Sequence, residues 1–368
     1  TMLPVDAPLI IRINDAEKFT AFSDSVSLPY VQAIDVAILN KYSNGPWTGA
    51  LVASGADKFD WIWTFKDTLG QGGSMTENET IYSIDSLYGF KVGSTWTISK
   101  KSALLQDLLN QRANGFSLAK DAQFSSLWNS ASKADVMNLF IQHKEIAAVG
   151  NQFFQQDWSW MTHVAAWSEI DLALRKNKLI GTSVSLCPDS AKVFLNTFTS
   201  SVRSENISKY VASSSTYALG MKTGRVDVWL RSFNAYRAQK QRLKPAQRIT
   251  SEANVDPILF STKNLTGDFI RVGYGDATIC LIPLKVGSSS EVAEILSALS
   301  STSGTTDGRS SGTLKDTHKF LFSALYGWLF SNLGTPSWTV NKDVLALAPN
   351  AKILEVYMSE IGLGKTWD

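Results

Sequence analysis

Thr278-Ile279-Cys280-Leu281-Ile282-Pro283-Leu284 is a run of β-branched and apolar residues, and just beyond Gly287 the pattern changes period. From there Val292, Ile295, Leu296 and Leu299 recur at i, i+3, i+4 and i+7, the spacing of one buried helical stripe. Ser288 stands three residues before Glu291, so a capping box is expected at the junction. The stretch therefore predicts a strand that feeds an amphipathic helix, Ser290–Leu299. Three further stretches repeat the step: Thr95–Ser99 into Ala103–Asn110, Leu179–Leu186 into Asp189–Phe198, and Val344–Leu347 into Asn350–Ile361. In the first of these Leu104, Leu105, Leu108 and Leu109 form the stripe and Gly115 the stop; in the last Ile353, Leu354, Tyr357 and Ile361 do so before Gly362.

A longer period encloses these steps. Near the N-terminus Leu9–Ile13 reads as a strand, Asn14 as an N-cap with Glu17 three residues on, and Phe19 and Phe22 as a helix face. Tyr217–Met221 opens a comparable strand, followed by a helix bearing Trp229, Phe233 and Tyr236. Each opening is followed by two strand-to-helix steps. The expected architecture is α+β, in two similar halves over residues 1–205 and 206–368, each an antiparallel sheet with amphipathic helices packed on it. A length of 368 residues suits two domains of roughly 150 residues or more. The hairpin Asp268–Leu284, turning near Gly275-Asp276, is the clearest sheet element.

Composition narrows the function. Charged residues make up 18% against a usual ~25%, while 12 Trp and 18 Phe supply ample core material. A net charge of +2 creates no field for a polyanion, so no nucleic-acid partner is expected. Arg231, Arg237, Lys240, Arg242, Lys244 and Arg248 crowd one helix and its exit, and read as a solvated helix face. The most apolar window, Phe320–Leu333, falls short of the ~20 residues that span a bilayer and is expected in the core. Cys187 and Cys280, each among apolar neighbours, read as free buried thiols, with a disulfide between the halves as the alternative.

Chemistry-bearing patterns are few. His143, His163 and His318 lie at element ends with no second ligand at metal spacing, so neither a metal nor a cofactor is expected. Gly308-Arg309-Ser310-Ser311-Gly312 has the letters of a nucleophile elbow but lies in Ser301–Thr313, a Ser/Thr/Gly stretch that reads as a mobile loop. Gly70-Gln71-Gly72-Gly73 lacks the Lys-Ser/Thr of a phosphate loop and reads as a connection. On the strand Trp167–Leu172, Glu169 and Asp171 share one face with Trp167. Two readings stay open for that pair: an acid and base acting on a glycan, or the wet face of an antiparallel strand. Phe59, Trp61, Trp63 and Phe65 alternate as the core face of a sheet. Trp158 and Trp160, beside Gln155-Gln156-Asp157, are the place for an exposed aromatic platform.

Pro4-Val5-Asp6-Ala7 before a short apolar strand, Ala166–Asp171 followed by Leu179-Ile180-Gly181, the segment Val193–Phe198 and the closing Leu354–Gly364 together resemble exported, often lipid-anchored envelope proteins of Bacteroidetes, a family of unknown function. The resemblance implies export to the periplasm or outer-membrane surface and a mature chain that begins after a signal. It carries over no catalytic residue, and no cysteine stands near Thr1 where such an anchor would attach. Asp24-Ser25-Val26, Asp67-Thr68-Leu69, Asp85-Ser86-Leu87 and Asp189-Ser190-Ala191 are similar to the O-glycosylation acceptor of that phylum; Asn78, Asn206 and Asn264 head N-x-Ser/Thr triplets. Trp367, at the very end, suggests a native chain that continues beyond residue 368. The expected role is a non-catalytic binding or structural module of a bacterial envelope, contacting a protein or glycan through Trp158, Trp160, Trp167, Glu169 and Asp171. The alternative is a glycan-active hydrolase using Glu169 and Asp171.

Overall fold

The computed structural model describes residues 3–25, 43, 45–55, 58–66, 81–84, 86–154, 158–175, 178–188, 192–198, 207–306 and 308–367. The chain divides into two compact units, Thr1–Leu195 and Asn196–Asp368. The boundary lies ten residues before the expected one. The first unit runs β1 (Leu9–Ile13), α1 (Ala16–Ser25), β2 (Trp47–Gly55), β3 (Lys58–Lys66), β4 (Tyr82–Ile84), β5 (Leu87–Val92), β6 (Thr95–Ser99), α2 (Ser102–Ala113), α3 (Ala122–Ser130), β7 (Met137–Gln142), α4 (His143–Phe154), β8 (Trp167–Arg175) and β9 (Lys178–Leu186). Its nine strands form one sheet in the order β4-β5-β6-β3-β2-β1-β7-β8-β9, antiparallel at every step.

The second unit runs β10 (Tyr217–Lys222), α5 (Val226–Gln239), α6 (Leu243–Glu252), α7 (Pro257–Asn264), β11 (Asp268–Tyr274), β12 (Ala277–Pro283), α8 (Ser289–Ala298), β13 (Ser300–Thr306), β14 (Arg309–Leu314), α9 (Leu321–Tyr326), β15 (Ser337–Asn341), β16 (Val344–Ala348) and α10 (Ala351–Gly362). Its sheet is also antiparallel throughout, in the order β10-β11-β12-β16-β15-β14-β13.

The two orders express one plan. In the first unit a lead strand (β1), a helix and a hairpin (β2–β3) are joined by a second hairpin (β5–β6) whose last strand docks on β3, and α2 follows. In the second unit β10, its helices, β11–β12, β15–β16 and α10 occupy the same places. The first unit also holds a partial third copy: β7, α4 and the hairpin β8–β9 again make a lead strand, helix and hairpin. The lead strands β1 and β7 pair with each other, antiparallel about Ile11 opposite Leu139.

Strand alternation gives each sheet two apolar faces, and helices cover both. On one face of the first sheet Ile10, Ala50, Ile62 and Phe140 meet Leu104, Leu105 and Leu108 of α2 and Phe124 and Leu127 of α3. On the other, Ile13, Trp47, Trp63 and Phe65 meet Ala16 and Phe19 of α1, and Ile146 and Val149 of α4 pack on Leu51. Phe59 and Trp61 are partly buried on that same face, and the Trp61 and Trp63 rings stack at 5.4 Å. Trp63 lies flat on Gly49, where an added Cβ would stand 2.6 Å from the indole. In the second unit Ile270, Leu281 and Ala346 pack on Leu354, Tyr357 and Met358 of α10. The window Phe320–Leu333 is core there as well, with Phe322, Tyr326 and Phe330 clustered around Phe269.

Local details depart from expectation where side chains choose other partners. Asp15, not Asn14, caps α1, its Oδ1 accepting from Lys18 N at 3.0 Å. Phe22 has its side chain outside the described residues. Ser288 makes no side-chain cap bond, whereas Asn350 caps α10 by accepting from Ile353 N. The helix expected over Asp189–Phe198 is, in its described part, one 3-10 turn at Phe194–Thr197. Cys187 and Cys280 are both free thiols. Arg237, expected on a solvated face, is 8% exposed, its guanidinium 4.0 Å from the Phe233 ring. Burial lowers its pKa to about 10.

The largest departure is Ser301–Thr313. It is the hairpin β13–β14, registered against β15, with Gly308 at the turn at φ +73°. Alternating Ser and Thr are compatible with a strand because the ladder, not the side chain, satisfies the backbone. Gly312 is the register lock: a Cβ there would stand 2.4 Å from the Thr302 carbonyl. Gly312→Ala is therefore expected to cost the second unit about 1–3 kcal/mol, read as a lowered denaturant midpoint. A mobile loop would leave the midpoint unchanged.

Candidate functional site

Arg12 interrupts the otherwise apolar strand Leu9–Ile13, and its direct neighbours across the sheet are Asn138 on β7 and Thr48 on β2. Asn138 in turn faces Asp171 on β8. These residues share one sheet face, the one beneath α3, so a cation, an amide and a carboxylate are placed in a row inside the core. Burying them is costly unless every group is paired, and here most are. Arg12 Nε donates to Asn138 Oδ1 at 2.8 Å, while its Nη atoms donate to the Trp128 carbonyl at 3.2 Å and the Ala131 carbonyl at 3.1 Å. The guanidinium also lies 4.8 Å from the centre of the Trp128 ring.

The rest of the network binds the turn after α3. Asn14 Nδ2 donates to the carbonyls of Ser132 and Asp135 and to Asn138 Oδ1. Asn138 Nδ2 donates to the Ser132 carbonyl at 2.9 Å and to Asp171 Oδ1. Asp171 Oδ1 also accepts from Ser132 N at 2.9 Å. Glu169, one alternation along β8, is 1% exposed, and its Oε1 has no partner among the described residues. Burial, reinforced by hydrogen bonding and charge from Asp171, pushes its pKa up to about 8, so it carries a proton at neutral pH. The same burial lowers the pKa of Arg12, with the charges of Asp171 and Glu169 acting against it.

This geometry corrects both readings of the carboxylate pair. Glu169 and Asp171 do share a face with Trp167, but that face is neither wet nor open. Trp167 is 3% exposed and packs on Phe124 of α3 with ring centroids 5.3 Å apart. A glycan has no approach to Glu169 beneath the helix. The raised pKa that would suit a general acid is here the consequence of enclosure.

On the opposite face His143 opens α4 and is 3% exposed. Its Nδ1 lies 3.2 Å from the Met161 carbonyl and so carries the hydrogen; Nε2 then accepts from Ser168 Oγ at 2.8 Å, and Ser168 lies 2.7 Å from Ser185 Oγ. Burial lowers the imidazole pKa and keeps it neutral. With Ser168 itself 7% exposed, the chain of three ties β8 and β9 to α4 and presents no nucleophile. Among the described residues no group of three His, Cys, Asp or Glu side chains could hold a metal ion.

Trp158 and Trp160 stand apart from this interior. The turn Ser159–His163 carries Trp160 at 42% exposure, and the two rings lie 6.0 Å apart. Trp158 is half-buried over Gly150 of α4, where an added Cβ would stand 2.4 Å from its ring. The second unit has its own anchored carboxylate: Glu360 accepts from Ser213 Oγ, Ser214 N and Oγ and Tyr274 OH, which together push its pKa down to about 2. It fastens α10 to the segment before β10, as does Trp367, whose N–H donates to the Val211 carbonyl. A groove between α10 and β13–β15, lined by Thr302, Arg309, Ser311, Thr339, Glu355 and Met358, contains no histidine or cysteine. Of the glycosylation triplets, Asn264 is 1% exposed and closed to modification. Asn78, Asn206, the Asp67 and Asp189 tripeptides and Gly70–Gly73 lie outside the described residues, as do the side chains of Asp24, Ser25 and Asp85.

No protein-family model, curated protein or solved structure matches the chain.

Arg12 and Asn138 are the participants that motif-reading missed, and Asn14 was read only as a cap. The signal of the first two was a charged or amide residue inside a short apolar strand, a position that alternation places in the core. Glu169 gives the network a testable pH signature. The native state holds its proton up to about pH 8, whereas the unfolded chain releases it near pH ~4.3. Between those values the native state binds more protons, so this group's stabilising contribution, full below pH ~4.3, is lost as pH rises toward 8. Glu169→Gln is expected to flatten that decline, raising the denaturant midpoint at pH 8 relative to wild type and not at pH 4.

Proposed function

We propose that this chain is a non-catalytic binding module of a bacterial envelope, exported across the inner membrane. The observation that carries the non-catalytic half is the position of Glu169. The carboxylate best tuned for proton transfer is 1% exposed, and its neighbour Asp171 is committed to Ser132 N and Asn138. Repeated use of one plan supports the same reading, since its chemistry-bearing residues go into holding strands and turns together. Among the described residues no helix is long and apolar enough to cross a membrane, and export rests on the resemblance to Bacteroidetes envelope proteins.

The contact surface assigned under this reading is Trp158 and Trp160. A half-buried indole stiffens its exposed neighbour, giving an apolar face with one donor at low entropic cost. Glycan polymer from a Bacteroidetes envelope provides the test. Wild-type protein is expected to be retained on the polymer without releasing reducing ends, and Trp160→Ala to lose about tenfold in retention, in line with one aromatic stacking contact of roughly 1–2 kcal/mol. Release of reducing ends that Glu169→Gln abolishes would establish the hydrolase instead.

A further inference from the structure

The shared plan contains three lead strands, and only two of them have found each other. β1 and β7 pair antiparallel about Ile11 and Leu139, which gives the first unit a pseudo-two-fold axis and closes both lead-strand edges. β10 holds the same place in the second unit, yet its sheet ends there, with β11 as its one neighbour. Thr223 N donates to the Gly267 carbonyl, so ladder alternation turns the amides of Ala218, Gly220 and Lys222 away from β11. Among the described residues no strand pairs with that edge.

β10 also lacks the devices that protect an edge. It has no proline and no bulge in its pairing with β11. Its one lysine, Lys222, is engaged by Asp268 at 3.7 Å. Tyr217 and Leu219 are 45% and 42% exposed. We propose that β10 pairs antiparallel with β10 of a second copy of this chain across a two-fold axis, repeating between chains what β1 and β7 do within one. A dyad at Leu219 sets each Ala218 opposite the partner's Gly220, both with outward amides, and places the two Leu219 side chains opposite each other, while each Lys222 falls opposite the partner's Thr216, which keeps like charges apart.

β9, the edge strand at the hairpin end of the first sheet, exposes Ile180 and Val184 and calls for a different partner. In the shared plan that position docks the last strand of a second hairpin, as β3 takes β6 and β12 takes β16, and both of those strands are already used. Pairing of β9 with β10 between chains would be heterologous and would generate rings or open-ended filaments, whereas pairing of β10 with itself closes at two.

Sedimentation velocity of the full chain across micromolar concentrations separates these outcomes. The expected species is a dimer. Leu219→Lys should raise its dissociation constant more than about tenfold by placing charges on the shared face, with far-UV circular dichroism unchanged because Leu219 is exposed. Val184→Lys should leave the dimer intact. In the wild-type dimer the amides of Ala218 and Gly220 should exchange slowly with solvent, and in Leu219→Lys quickly. A wild-type chain that stays monomeric, species larger than a dimer, or a dimer lost in Val184→Lys and kept in Leu219→Lys would each overturn the proposal.

Discussion

Everything in the first unit is arranged around a buried positive charge. Arg12 lies on β1, an interior strand of a nine-stranded sheet with apolar layers on both faces, where an unpaired guanidinium would be very costly. Its partners are consequently set by position. Asn138 stands directly opposite, Asp171 next along the row, and the turn after α3 bends down so that the carbonyls of Trp128, Ala131 and Ser132 meet the remaining donors. The register of β1 against β7 is thereby specified: a slip of one residue would send Arg12 to the opposite face and leave Asn138 and Asp171 without it. Such a network contributes less to net stability than to selecting one arrangement among several apolar ones.

That constraint also gives a cluster suggestive in composition a packing role. Reaction centres need titratable groups, a cavity and an approach. The row Arg12–Asn138–Asp171 with Glu169 has the groups, and α3 takes the place of the cavity. The second unit meets the same problem on a smaller scale at Glu360, which spends its acceptors on Ser213, Ser214 and Tyr274 to fix α10. In both units a carboxylate is used as a fastener where one copy of the plan joins the next segment of chain.

Much of the architecture was legible because it rests on periodicity. The stripe Leu104, Leu105, Leu108 and Leu109, the strand Thr278–Leu284 and the turn at Gly275 follow from spacings of 3.6 and 2 and from a positive φ that favours glycine. The recurrence of a lead strand and helix followed by strand-to-helix steps was visible in outline, although the recurrence of hairpins that completes the plan and the partial third copy beginning at β7 were not: that copy's lead strand contains Asn138, which breaks the apolar pattern. What failed did so where tertiary partners decide. Ser301–Thr313 has loop composition, but a neighbouring strand at Ser337–Asn341 supplies the ladder that makes it a hairpin. Glu169 and Asp171 alternate as a solvated face would, and only the packing of Phe124 and Trp128 above them reverses the meaning of that alternation. Asn14 was lost as a cap because Ser132, Asp135 and Asn138 claim its amide.

The central claim is that the row of Arg12, Asn138 and Asp171 holds the first unit's central strands and the turn after α3 as one cooperative body. Native-state hydrogen exchange on Asn138→Ala tests it most directly. The account predicts that protection at Ser132, Asn14 and the β1–β7 ladder falls together and by a similar factor, with the second unit's β11–β12 ladder unchanged. Loss of protection confined to Ser132, with the β1–β7 amides as slow as in wild type, would contradict it.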